Sequence, residues 1–221
     1  LAPYRMVVTP FLPWLGEAGL QERIAKWISA GGTWVVGPLT DIRNADAAKF
    51  VHAPYGVLER WAGVRCKFEI PGDPRQFRMR WADGRESDGS LWYDVLEARG
   101  ATVLASYTEG PGAGLAAVVR RRIGKGSIIL LGTLPAPDEF ASLILELAAA
   151  AGITPVAEAS SNLLVVPRAG RAGKGMVVVE LQNRPGSLTL PYPAVDVSAG
   201  MRHEGMIEVA PYGVMVLKAR K

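Results

Sequence analysis

The sequence predicts an α/β protein in two parts: a three-layer α/β domain over residues 1–154 and a small antiparallel β-sandwich over residues 155–221. Three observations lead there. Near the N-terminus a strand, a helix and a second strand follow one another with short connections, the pattern of a parallel βαβ unit with a right-handed crossover. An amphipathic helix is read at Asp138–Ala151, where Phe140, Leu143, Ile144 and Leu147 share a face. Past Ile153 the chain changes to short apolar runs separated by Gly, Pro and Asn turns, the spacing of a small sandwich.

Taken in order, Tyr4–Thr9 (YRMVVT) reads as a short strand that Pro10 and Pro13 stop. Within Gly16–Ala30, Leu20, Ile24, Trp27 and Ile28 recur at helical spacing, and Gly31-Gly32 ends that helix as a C-cap would. Thr33–Val36 (TWVV) is the next strand. The polar stretch Leu39–His52 shows no clear periodicity. Tyr55–Gly63 (YGVLERWAG) reads as a short helix. Arg65–Ile70 (RCKFEI) and Gln76–Trp81 (QFRMRW) read as strands about the turn Pro71-Gly72-Asp73-Pro74. Asp83-Gly84 and Asp88-Gly89 mark further turns.

Thr102–Tyr107 (TVLASY) and Ala116–Ile123 (AAVVRRRI) are strands, and the second forms a hairpin with Ser127–Leu131 (SIILL) through Gly124-Lys125-Gly126. The run Arg120-Arg121-Arg122 places the middle arm at a sheet edge or facing solvent. Pro137 suits the first turn of the last helix, Asp138 and Glu139 its positive end, and Gly152 its stop. The second part holds expected strands at Leu163–Val166, Met176–Leu181, Ser187–Leu190, Ala194–Val197, Met206–Val209 and Gly213–Leu217. Some 65 residues make a marginal core alone, so this part is expected to lean on a neighbour.

With 221 residues, 49% of them apolar and 21% charged, a packed core is within reach and disorder is not expected. No apolar run approaches the ~20 residues that span a bilayer, so no membrane partner is expected. The net charge of +4 comes from scattered basic residues without a nucleic-acid motif, which argues against a nucleic-acid partner. One cysteine, Cys66, precludes an internal disulfide, and its strand-like setting reads as a packed core thiol. The chain opens Leu1-Ala2-Pro3-Tyr4 without a methionine, which reads as a fragment or a processed piece. A cytoplasmic location is expected, with a lost leader as the alternative.

Several segments, in this order, resemble one family. YRMVVTPFLPWLGEAGLQERIAKWISAGGTWVV (Tyr4–Val36) and PYGVLERWAG (Pro54–Gly63) come first. They are followed by TVLASY, a Gly-rich loop, AAVVR and GKGSIILLGT, and by the closing Pro211-Tyr212-Gly213-Val214. Together they resemble the trimerisation domain and C-terminal domain of the family 42 glycoside hydrolases, the β-galactosidases. The sequence departs from that pattern at Leu39–His52 and in the loop PGAGLAAVV. The resemblance implies a flavodoxin-like, class I glutamine amidotransferase-like first domain and a homotrimer. It also implies a parent protein whose separate catalytic barrel carries two glutamates and hydrolyses terminal β-D-galactosides, so galactoside would be met only through the parent.

Glycoside hydrolysis needs two carboxylates about 5 Å (retaining) or roughly 6.5–9.5 Å (inverting) apart, and no spacing among the 21 acidic residues picks out a pair. A catalytic barrel takes around 250 residues and eight βα units, far more than is visible here. No catalytic residue, cofactor or metal is therefore expected. Two histidines, His52 and His203, and one cysteine are too widely spaced for a metal site, and His203 reads as a solvent-facing turn residue. Gly124-Lys125-Gly126-Ser127 lacks the full phosphate-loop pattern and precedes a strand. Trp27, Trp34 and Trp61 lie in apolar patterns and read as core. Trp14, Trp81 and Trp92, near loops and turns, are the candidates for contact with a partner or a sugar. Two other readings stay open: a stand-alone carbohydrate-binding module, and a degenerate amidotransferase-like hydrolase using Cys66.

Overall fold

The computed structural model describes residues 1–51, 56–71, 77–171 and 173–220. The expected turn beyond Pro71, the strand start at Gln76, and His52–Tyr55, which end the polar stretch and open the short helix, lie outside the described residues. The chain divides into two compact units, Leu1–Ile153 and Thr154–Lys221.

The first unit begins as the sequence suggests. β1 (Met6–Thr9) and β2 (Thr33–Val36) pair in parallel, joined by α1 (Leu20–Ser29). Ile24, Trp27 and Ile28 form the buried face of α1, and the Trp27 indole donates to the Tyr4 carbonyl at 2.7 Å. A short helix α2 (Leu58–Ala62) leads to β3 (Val64–Pro71), β4 (Arg78–Trp81), β5 (Glu86–Ser90), β6 (Trp92–Ala98) and β7 (Thr102–Tyr107). β8 (Ala116–Ile123), β9 (Gly126–Leu131), β10 (Leu134–Pro135) and α3 (Pro137–Ala150) complete the unit. The β8–β9 hairpin forms as expected, with Ile123 paired to Gly126. Gly126 cannot be replaced cheaply, because a Cβ there would lie 2.2 Å from the carbonyl oxygens of Ile28 and Gly32.

The three-layer, flavodoxin-like and amidotransferase-like architecture does not form. Strand takes 44% and helix 15% of the structure. Among the described residues only β1, β2 and β9 run parallel; from β9 the sheet continues antiparallel through β8, β7, β4 and β5 to β10, while β6 pairs with β3 and touches β8. Each parallel pairing needs a crossover of a dozen or more residues. Here the later strands pair antiparallel instead, through the β4–β5, β7–β8 and β8–β9 hairpins and through longer-range pairings of β3 with β6 and β4 with β7, where βα units were expected.

Two local expectations fail for the same reason. Asp88-Gly89 is not a turn: it lies inside β5, paired with β4 and β10. The arginine triplet is not at an edge, because β8 lies between β7 and β9; the alternative of facing solvent holds for Arg122, which is exposed. Strand-face alternation then sorts the core. Trp34, Val36, Ile128 and Leu130 meet α1 and α2 on one face, while Val35, Ile129 and Leu131 meet Leu143 and Leu147 of α3 on the other.

Among the described residues, the strands of the second unit all pair antiparallel. β11 (Glu158–Ala159), β14 (Gly186–Thr189) and β17 (Met206–Val209) form one sheet. β12 (Leu163–Gly170), β13 (Gly173–Glu180), β18 (Val214–Ala219), β15 (Ala194–Asp196) and β16 (Arg202–His203) form the other. Met176, Val178 and Leu217 from one sheet pack with Leu188 and Val209 from the other. His203 sits in a strand and is half-buried, not in a solvent-facing turn, because it pairs with Ala194.

Candidate functional site

In α/β arrangements ligands collect beyond the carboxyl ends of parallel strands, and here β1 and β2 end beside the loops 10–15 and 37–43. A cleft of about 570 Å³ opens there, lined by Phe11, Pro13, Leu39, Arg43, Lys49 and Trp92. Glu69 lies at its edge and also lines a small void of about 30 Å³ behind it, together with Asp41, Glu59, Cys66 and Asp94.

Local backbone geometry assembles this acidic pocket. On a regular strand, residues three apart point to opposite faces. In β3 the register slips between Cys66 and Phe68, a bulge, which turns Cys66 and Glu69 the same way. Glu69 is then the direct cross-strand neighbour of Asp94 on β6, a like-charge pairing that sheets normally avoid. The Trp92 indole donates to Asp94 Oδ1 at 3.0 Å and the Leu39 amide to Oδ2 at 3.3 Å. Burial, with the charge of Glu69 beside it, nevertheless pushes the Asp94 carboxyl up to about 7. Asp41 sits in left-handed backbone, φ 58°, from which its carboxylate accepts the Val57 and Leu58 amides at 2.6 and 3.1 Å and so caps α2. Burial outweighs those bonds and raises its pKa.

The tryptophan candidates separate. Trp14 is 39% exposed on the β1–α1 loop. Trp92 is half-buried and walls the cleft. Trp81 is only 7% exposed, packed in the core with its indole bonded to Ser87 Oγ at 3.1 Å, so its position beside a turn misleads about its exposure. Trp27 and Trp34 are core residues. The structure brings Trp92 and Phe11 to one cleft; Glu69 and Asp94 went unnoticed in the sequence, where nothing in their 25-residue separation announces a strand pairing.

Cys66 is 7% exposed, and burial, reinforced by the Asp94 and Glu69 charges, drives its thiol far above the ordinary range. A nucleophile requires the opposite shift, so the burial of Cys66 and the acids beside it argue against the amidotransferase-like reading. Iodoacetamide is expected to leave Cys66 unlabelled in the native protein and to alkylate it fully in denaturant, read by intact mass. Rapid native alkylation would revive the nucleophile.

The beta-galactosidase trimerisation domain family matches residues 1–154. The chain is 30% identical to beta-galactosidase YesZ of Bacillus licheniformis over 224 residues, covering 99% of this chain and 34% of that protein. It is likewise 30% identical to YesZ of Bacillus subtilis over 220 residues, 97% of this chain and 33% of the relative. The fold is shared with a beta-galactosidase from Bacillus circulans sp. alkalophilus at a TM-score of 0.87 and 20% identity, covering 99% of this chain and 33% of that one. A catalytic mutant of Gan42B, a GH42 beta-galactosidase from G. stearothermophilus, superposes with a TM-score of 0.84 at 19% identity over all of this chain and 32% of its own. The chain thus spans about a third of the length of these relatives. Matched over its first unit, it belongs to the beta-galactosidase trimerisation domain family.

Proposed function

We propose that this chain is the assembly and C-terminal region of a β-galactosidase-like glycoside hydrolase. In this reading it brings three protomers together, while a separate barrel of the parent cleaves terminal β-D-galactosides. The family match over residues 1–154 carries the reading. The chemistry of the chain agrees with it. Among the described residues, Glu69 and Asp94 are carboxylates close enough for a retaining mechanism, but Asp94 is buried and lines a water-sized void that no pyranose can enter.

A threefold assembly of this kind is a ring of heterologous contacts that closes on itself. Phe11 and Trp14, 47% and 39% exposed on one proline-braced loop, offer the apolar contact such a ring needs. Trp92, in the adjoining cleft, would border it. Aromatic residues of this kind concentrate binding energy at interfaces.

Sedimentation velocity across a concentration series tests this. The expected species is concentration-stable at three times the 23.6 kDa chain mass, and Phe11→Ala with Trp14→Ala shifts it toward monomer. A clean monomer at every concentration would overturn the claim that these residues suffice for assembly.

A further inference from the structure

The pocket behind the cleft holds a chemistry that assembly does not use. Cys66 Sγ and one carboxylate oxygen each from Glu69 and Asp94 lie within 4.8 Å of one another. Ligand atoms around one zinc-type ion, bonded at about 2.0–2.3 Å, stand roughly 3.5 Å apart. Side-chain adjustments of an ångström or so would close the set on an ion. Asp41 and Glu59 line the same void.

A cluster of acids alone would say little, but Glu69 adds a separate observation. Its side chain is 6% exposed and its Oε2 is paired with Lys49 at 2.5 Å, yet its Oε1 is buried with no hydrogen-bond partner. A buried charged oxygen left unmet costs more than a neutral one, and it marks a place where a cation fits. The β3 bulge adds to this: without it Cys66 and Glu69 would face apart, and bulges commonly re-aim side chains beside functional sites.

We propose that Cys66, Glu69 and Asp94 form a binding site for a divalent transition-metal ion of the zinc type. One thiolate with two carboxylates suits a borderline ion better than magnesium or calcium, which take oxygen ligands only. The thiol proton leaves to solvent as the metal–sulfur bond forms. Bound there, the ion ties β3 to β6 directly behind the cleft and neutralises the Glu69–Asp94 juxtaposition. The site stands apart from the assembly reading and does not rest on it.

Cobalt(II) is the probe, added to the chelator-treated chain. The single cysteine makes the signal unambiguous, because thiolate-to-cobalt absorption in the near ultraviolet can arise only from Cys66. The expected result is that absorption saturating at one equivalent, lost in Cys66→Ser, with cobalt binding weakened at least about ten-fold in Glu69→Gln and in Asp94→Asn. Zinc should raise the thermal midpoint of the unsubstituted chain, a measurement that needs no variant to fold. No charge-transfer absorption at saturating cobalt, or its persistence in Cys66→Ser, overturns the site. The cluster would then be a polar core neutralised by Lys49. Sedimentation of the same samples reads assembly separately.

Discussion

Replacing Trp34 with alanine is expected to destabilise the first unit by about 3–5 kcal/mol, the range for deleting a large aromatic from a packed interior. Trp34 is 2% exposed in the middle strand of the parallel trio, between β1 and β9. It packs with Trp27 and Ile28 of α1 and with Ile128 and Leu130 of β9. Its indole also donates to Thr9 Oγ1 at 2.9 Å, holding the end of β1 from which the Phe11–Trp14 loop departs. Alanine at this position leaves a cavity that a sheet paired on both sides cannot collapse into. Urea unfolding followed by far-UV circular dichroism measures the loss, and Trp34→Phe should recover part of it. A cost below about 1 kcal/mol would show that the face between α1 and the sheet is loosely packed.

Replacing Glu180 with glutamine is expected to remove most of the acid-sensitive stability of the second unit and to lower its thermal midpoint at neutral pH by several degrees. Glu180 ends β13, where its carboxylate accepts the Tyr212 amide at 2.8 Å, the Gln182 amide at 2.7 Å and Asn162 Nδ2 at 2.9 Å. Burial by itself would raise the pKa; these bonds overcome it and hold the carboxyl at about 2, below its ordinary 4.5. A depressed carboxyl contributes stability that is full above the unfolded value and lost as pH falls through the folded one. The unsubstituted chain should therefore lose stability between about pH 4.5 and pH 2, and Glu180→Gln should flatten that part of the profile. A glutamine carbonyl cannot satisfy all three donors, so the loss persists at pH 7. Thermal midpoints measured from pH 7 down to pH 2 decide the matter: parallel profiles for the two proteins would show that Glu180 does not carry the effect.

Much of the local structure was legible before any coordinates. The face of α1 follows from Leu20, Ile24, Trp27 and Ile28, and α3 from the spacing of Phe140, Leu143, Ile144 and Leu147. The β8–β9 hairpin follows from Gly124 and its neighbours. Each depends on periodicity or turn chemistry that residues close in sequence express by themselves. Misreadings occurred where partners are distant. Asp88-Gly89 has turn composition but lies in a strand because β4 and β10 flank it. Arg120–Arg122 lie not at an edge but in a central strand, where Arg122 is nonetheless exposed. Trp81 lies beside the Asp83-Gly84 turn and is nonetheless core.

The resemblance to the β-galactosidases was also legible, because motif order survives where no single motif is specific, and the family match over residues 1–154 agrees with it. The architecture attached to that resemblance was not correct. One genuine βαβ unit at the N-terminus was extended in expectation to a whole doubly covered sheet, and the strands that followed paired antiparallel instead.

The sequence by itself therefore determined the helices, the hairpin, the strand-rich second unit and the family, all properties written in short windows or in their order. Only the tertiary structure decided which strands became neighbours, and with that the meeting of Glu69 and Asp94 across β3 and β6. It also placed Cys66 beside them, through a bulge that a linear pattern does not reveal. The physical reason is that strand pairing is chosen by the burial of distant apolar faces against each other. A one-residue slip in register, invisible in composition, reverses which side chains share a face.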